Sequence, residues 1–385
     1  MDFGGDILKA LRRTLSFIEY IGGINMDKKL RIGIIGCGGI AEKKHLPALS
    51  ALPELCEMVA FCDIDKERAE KAAKQYGGPD AKVYEDYKEL LKDESIDVVN
   101  VLTPNRSHAQ IVIDAFAAGK HVMSEKPMAA SSEDAQKMLD AWKKSGKKFT
   151  IGYQNRFRPE VWSLHEACVN GELGDIYFAK AYALRRKGVP TWGVFLDKEK
   201  QGGGPLIDIG THALDMTLWM MNNYEPVSVS GQTFYKMADQ PDANLFGPWD
   251  PKKYDVEDSA FGFIKFKNGA VVMLEASWVL NIEKGREAST CLCGTKAGAD
   301  VYLDGDICYH RTNHGILTDE HNAEKGGVAY FDGKVVTPAI READQWLKCI
   351  INDTEPVVKP EQAFTVTRIL EAIYESAKTG KEVLL

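Results

Sequence analysis

Between residues 30 and 150 the chain alternates short β-branched runs with stretches of helical period, and this alternation restricts the fold more than any other feature. LRIGIIG is a strand-length run, AEKKHLPALSAL has helical character, and MVAFCDID is a second strand. KERAEKAAKQYG, DYKELLKD, VVNVLTP, SHAQIVIDAFAAGK, HVMSEKP and SSEDAQKMLDAWKKSG continue the pattern. Strands separated by helices pair in parallel, and right-handed crossovers then put helices on both faces of the sheet. The expected fold class is α/β, with a doubly wound parallel sheet.

Beyond FTIGYQ the texture changes to longer runs such as DIYFAKAYAL, PVSVSGQTF, SAFGFIKF and AVVMLEASWVL. Lys267-Asn268-Gly269 between two of them signals a hairpin, because Asn-Gly accepts the positive φ that tight turns need. This half is expected to be α+β with a mostly antiparallel open sheet. READQWLKCIIN and FTVTRILEAIYESAKTG look helical and are free to pack back on the first half. With 385 residues, more than one core is expected. The division read from the sequence is an extension over 1–27, a nucleotide-binding part over 28–154 and a substrate-binding and oligomerisation part over 155–385.

The strand IGII runs into Gly36-Cys-Gly38-Gly39-Ile40-Ala41, a G-x-G-x-x-A fingerprint between strand and helix. Gly36 permits the tight turn, Gly38 lets the backbone approach a pyrophosphate, and Ala41 allows close helix packing. Asp63 ends the next strand, somewhat farther on than the usual ~20 residues, where a carboxylate meets the adenosine ribose hydroxyls. That acid repels a 2′-phosphate, so NAD is expected rather than NADP, with Lys66 and Arg68 the only nearby features that favour the latter.

A formal charge of -8, without a long Lys/Arg run, argues against nucleic acid and anionic membranes as partners. A small-molecule partner and a cytoplasmic location are expected, the latter because eight cysteines sit in apolar stretches without a disulfide framework. Cys291-Leu-Cys293 lacks a second pair at zinc-site spacing, and no H-E-x-x-H occurs, so no metal is expected. LRRTLSFIEYIGG faintly echoes an export signal, but Glu19 interrupts its apolar run and Met26 reads as a natural start.

Ligands of an open parallel sheet sit at the carboxyl ends of its strands. One such end carries Thr103-Pro104-Asn105 with His108 behind it, and another carries Glu125-Lys126-Pro127. Lys126 is either a solvated loop lysine or an ammonium held in the cleft. In GGGPLIDIGTHALDM, a helix would set Asp208 and His212 one turn apart, with Asp215 three residues on. Flanking carboxylates would orient the imidazole and raise its basicity, as proton transfer near neutral pH requires. The alternative is a helix cap by Asp208 and a satisfied, partly buried histidine.

GIIGCGGIA, the CD ending the second strand, TPNRSHAQ, EKPMA, YQNRFRP, GGGPLIDIGTHALD and the closing AIYESAKTGKEV occur in order. Together they resemble the glucose-fructose oxidoreductase, inositol dehydrogenase and rhizopine-catabolism family, Gfo/Idh/MocA, from about residue 30 to 385. The resemblance implies a Rossmann domain followed by an α+β domain, with NAD as cofactor and a homodimer or homotetramer. It implies that Lys126 contacts substrate hydroxyl and cofactor, that His212 is the general acid/base, and that Asp208 is the acid beside it. Gly36, Gly38, Gly39, Ile40, Asp63, Thr103, Asn105, His108, Glu125, Lys126 and Gln154 then face the cofactor. Arg156, Trp192 and His212 would face the substrate.

The implied activity is NAD-dependent hydride transfer at a secondary alcohol of a sugar, sugar derivative or cyclitol. Three rivals stand beside it: a glycoside-processing enzyme that uses transient oxidation, an NAD-retaining sensor or scaffold, and a zinc-dependent dehydrogenase. The presence of Lys126, Asp208 and His212 together argues against the sensor.

Overall fold

The computed structural model describes residues 29–242, 244–323 and 336–385. The expected extension over 1–27 lies outside the described residues.

The first sheet contains β1 (Leu30–Ile35), β2 (Cys56–Cys62), β3 (Lys82–Tyr84), β4 (Val98–Val101), β5 (His121–Ser124) and β6 (Phe149–Ile151). They are parallel in the order β3-β2-β1-β4-β5-β6, the doubly wound order whose direction reverses beside β1. Ile32, Ile34, Val98 and Val99 are fully buried, as strands covered on both faces must be. AEKKHLPALS is helical in two pieces, a π-helical turn over Ala41–His45 and an α-helix over Leu46–Ser50.

The second sheet contains β7 (Ile176–Leu184), β8 (Pro226–Phe234), β9 (Ser259–Phe266), β10 (Val271–Ser277) and β11 (Arg286–Gly294). It is completed by β12 (Gly298–Val301), β13 (Ile307–Asn313), β14 (Ile316–His321) and β15 (Val383–Leu384). The order is β14-β13-β12-β11-β7-β10-β9-β8-β15, antiparallel except where β7 meets β10. Gly269 takes φ +85° in the β9–β10 hairpin, as the Asn-Gly signal requires.

Among the described residues, helices cover one face of this sheet and leave the other open. Along β9 to β11, Ile264, Val272, Leu274 and Leu292 are fully buried under the helices, while Phe263 on the opposite face is 39% exposed. The helix Pro360–Thr379 lies on β8. The preceding helix, Pro338–Ile351, returns to the first sheet, where Trp346, Leu347 and Cys349 join the core built by Ile32, Ile34 and Phe61.

Candidate active site at the strand ends

Gly36 adopts φ +96°, and a Cβ there would stand 2.7 Å from the Leu102 carbonyl oxygen. Both facts exclude any other residue from the turn. Gly38 and Gly39 differ, since an added Cβ at either meets nothing within 4 Å. Their smallness is not demanded by this chain's own packing, which fits close approach by a bound phosphate group. Asp63 accepts from the Cys37 N–H at 2.8 Å and from the Asp65 N–H at 2.9 Å, so the second strand end fixes the glycine turn. Ile40 is 40% exposed beside it.

Thr103, partly exposed, ends β4, and its Oγ1 accepts from Ser107 at 2.8 Å. The Asn105 amide donates to the Gln201 carbonyl at 2.8 Å, tying this strand end to the segment that precedes the glycine run. His108 is withdrawn from any bound group. It is fully buried, with its ring nitrogens 2.9 Å from the Pro127 and Thr103 carbonyl oxygens. The expected cofactor contact is therefore corrected: the ring joins two strand ends. Gln154, partly exposed, opens the turn after β6.

Glu125 is also enclosed, with Lys44 Nζ and His45 Nε2 each 2.7 Å from Oε1 and the Lys126 N–H 3.0 Å from Oε2. Lys44 reaches Glu342 at 2.9 Å, from the helix Pro338–Ile351. Sequence reasoning missed Lys44, His45 and Glu342. Lys44 and His45 directly follow the fingerprint, and Glu342 shares a helical face with Trp346, but their meeting is set by tertiary packing. Burial alone would raise the Glu125 carboxyl, yet Lys44 and His45 outweigh it and hold it well below the usual range. Burial, with the Lys44 charge adding to it, lowers His45, while Glu125 and Glu342 raise Lys44 against its burial. Burial, with Glu125 adding to it and Lys44 opposing, lifts Glu342 to about 7.

This gives a pH prediction with a definite sign. Folded Glu342 keeps its proton well above the 4.5 of an ordinary glutamate, whereas the unfolded chain loses it there. That contribution is complete below 4.5 and is lost as pH rises through about 7. Glu342→Gln is expected to flatten the dependence by on the order of 1–3 kcal/mol. Thermal melts of both proteins from about pH 5 to pH 8 check it, and parallel curves would reject it.

The glycine run answers to two partners that the sequence did not reveal. A Cβ at Gly203 would strike the Tyr374 hydroxyl, and one at Gly204 would strike the Glu257 carbonyl. Glu257 in turn accepts from the Gly204 N–H at 2.9 Å and the Tyr374 hydroxyl at 2.8 Å. The run lets the following segment lie against these groups.

That segment begins as a π-helical turn, Leu206–Gly210, in which the Thr211 N–H bonds the Leu206 carbonyl, and becomes α-helical over Thr211–Met221. The wider turn breaks the one-turn relation expected between Asp208 and His212. Asp208 instead serves Lys126. The Lys126 ammonium donates to the Asp208 carbonyl at 2.8 Å and lies 3.3 Å from its Oδ1. Asp208 Oδ2 accepts from Trp278 Nε1 at 3.1 Å, and Arg185 lies 4.0 Å away. The Lys126–Pro127 peptide is cis.

The expectation that two carboxylates flank His212 is overturned. Asp215 is held by Arg156, and His212 Nδ1 is buried without a hydrogen-bond partner among the described residues. Tyr153 meets the ring edge-on, 6.2 Å between centroids. Burial first, and the Lys126 ammonium second, push the imidazole well below its usual range. The site lowers the basicity that the sequence reading expected it to raise.

Arg156 also needs correction as a substrate residue. It is fully buried, with Nε donating to Asp215 at 2.9 Å and Nη1 to Gln362 at 2.6 Å. Its guanidinium is consumed inside the second half. Trp192 is 52% exposed and stands edge-on to Phe246, 5.0 Å between centroids. A cavity of about 1100 Å³ includes Arg185, Phe246 and Tyr302 in its wall, and Arg185 links it to Asp208.

Residues 30–153 match the model of an oxidoreductase family's NAD-binding Rossmann fold, and residues 166–385 match that family's C-terminal alpha/beta domain. The chain belongs to the Gfo/Idh/MocA family. As a Gfo/Idh/MocA protein it is an oxidoreductase with an NAD-binding Rossmann domain. It is 38% identical to D-glucoside 3-dehydrogenase of Escherichia coli (strain K12), over 92% of this chain and 97% of that one. Inositol 2-dehydrogenase of Salmonella typhimurium is 31% identical over 52% of this chain and 57% of its own length. A solved levoglucosan dehydrogenase with NADH and levoglucosan shares the fold at TM-score 0.79 and 23% identity, covering 93% of this chain and 99% of that one. Among the described residues no helix is long and apolar enough to cross a membrane.

Proposed function

We propose that this chain oxidises a ring secondary hydroxyl of a hexose glycoside, with NAD as the partner in hydride transfer. The observation that carries the reading is the pair of bonds by which Asp208 aims Lys126 at the strand ends of an NAD-binding sheet, with His212 near enough for that ammonium to lower its pKa. Bound NAD supplies the hydride acceptor, with the Gly36–Ile40 turn and Asp63 holding it. Arg68 is paired with Asp65 at 3.0 Å, which leaves it less free for a 2′-phosphate.

His212 accepts the substrate hydroxyl proton, because its neutral form persists at working pH. Lys126 stabilises the charge developing on the same oxygen, and its two bonds to Asp208 fix where the ammonium points. Glu125 accepts the Lys126 backbone N–H and is itself pinned by Lys44 and His45. The cavity of about 1100 Å³, slightly above the ~300–1,000 Å³ of ordinary ligand sites, reaches Asp208 only through Arg185 and offers space for an aglycone beyond one sugar ring. Phe246 supplies aromatic surface in its wall, with Trp192 edge-on behind it. The kinship with D-glucoside 3-dehydrogenase supports a glycoside over a cyclitol. The open face of the second sheet, with Phe263 exposed, supports contact between copies of the chain.

Absorbance at the reduced-nicotinamide band, with NAD and a panel of glucosides, free hexoses and inositols, tests the reading. Glucosides are expected to give the highest kcat/KM. A response confined to inositols, or none with any substrate, would overturn it, and release of free aglycone would instead point to bond cleavage.

A further inference from the structure

We propose that Cys308, His310 and Asp319 bind a zinc-type divalent cation at the β14 end of the second sheet. The β13–β14 register brings them together. Cys308 pairs with His321 and His310 with Asp319, so all four residues lie on one face, since cross-strand partners and i, i+2 neighbours share a face. The Cys308 sulfur, the His310 Nδ1 and an Asp319 oxygen lie within 4.8 Å of one another. Sγ and Nδ1 are 3.9 Å apart, and Nδ1 is 2.7 Å from the Asp319 oxygen. Thiolate, imidazole and carboxylate together suit zinc rather than calcium or magnesium, which take oxygen ligands.

The surroundings resemble the outer support of a metal site. His310 Nε2 lies 3.0 Å from Asp300, the carboxylate contact that holds a ligating imidazole in orientation and sharpens its donor strength. Asp300 is held by Arg286 at 2.9 Å, and Arg286 is fixed over the Tyr182 ring at 3.9 Å. Cys308 is 3% exposed, so the soft ligand is anchored while Asp319 on the outer strand can adjust. His321, facing Cys308 across the strands with its ring 3.2 Å from Asp306, is in register to supply a fourth ligand. Binding would release the Cys308 proton and replace the His310–Asp319 hydrogen bond. The spacing C-x-H followed by an acid on the return strand escapes a search for paired cysteines, which is why the sequence reading expected no metal.

The test is titration of the untagged, full-length, metal-stripped protein with Co²⁺, followed by competition with Zn²⁺. The expected result is one equivalent of Co²⁺ with tetrahedral visible bands and a thiolate-to-cobalt charge-transfer band, displaced by Zn²⁺. Cys308→Ser should remove the charge-transfer band, and His310→Gln should lower affinity at least about tenfold. NAD binding, followed by fluorescence, should persist in both variants and report their folding. Absence of the charge-transfer band in the parent protein, or its survival in Cys308→Ser, would overturn the proposal. Because the site shares no residue with Lys126, Asp208 and His212, dehydrogenase activity should survive chelation, and its loss would point to a catalytic metal instead.

Discussion

His212→Ala is expected to lower kcat by about 100- to 10,000-fold, the usual contribution of a positioned general base, while NAD affinity stays near that of the parent. The ring meets Tyr153 edge-on, away from the glycine turn, so its loss should spare the cofactor site. The pH profile carries a second, independent signature. Burial and Lys126 hold the imidazole down, so the neutral base survives as pH falls, and the acid limb of kcat/KM for alcohol oxidation should lie below ~6.5. Lys126→Met removes the largest of the charges that lower it, and the limb should move upward even as turnover drops. Steady-state rates across pH decide the matter: undiminished kcat in His212→Ala would exclude the role, as would a parent limb at or above the ordinary histidine value.

Arg156→Ala is expected to cost about 3–5 kcal/mol of stability, because it leaves the fully buried Asp215 carboxylate without its partner. Burial already raises that carboxyl and Arg156 is the group that opposes the rise. Pairing Arg156→Ala with Asp215→Ala should therefore recover part of the loss, since the stranded charge disappears. Chemical denaturation of the parent and the three variants measures this. Intact stability with a selective rise in KM would restore Arg156 to the substrate and refute its structural role.

The fold was largely legible because its signals are local. LRIGIIG, VVNVLTP and HVMSEKP announce buried parallel strands within a few residues, and Asn268-Gly269 announces its own turn geometry. Lys126 was legible for the same reason, as a polar residue at a strand end. The pairing of side chains was not. A 3.6-residue period assigns Asp208 to His212, and only the π-helical turn after Pro205 hands it to Lys126 and Trp278. That turn follows closely on Gly203 and Gly204, which pack against Tyr374 and Glu257, contacts that no local pattern encodes. Arg156 was placed at the substrate only by the family resemblance, and the partner that buries it, Asp215, lies on another helix.

The return of Pro338–Ile351 to the first sheet also governs how the molecule can be made. During synthesis the first sheet is complete at β6, yet the place taken by Trp346, Leu347 and Cys349 stays uncovered until those residues leave the ribosome. At typical elongation rates that interval is on the order of ten seconds or more. Throughout it, apolar side chains beside Ile32 and Phe61 face the cell, so the nascent nucleotide-binding half resembles a natural client for chaperones until the last helices arrive.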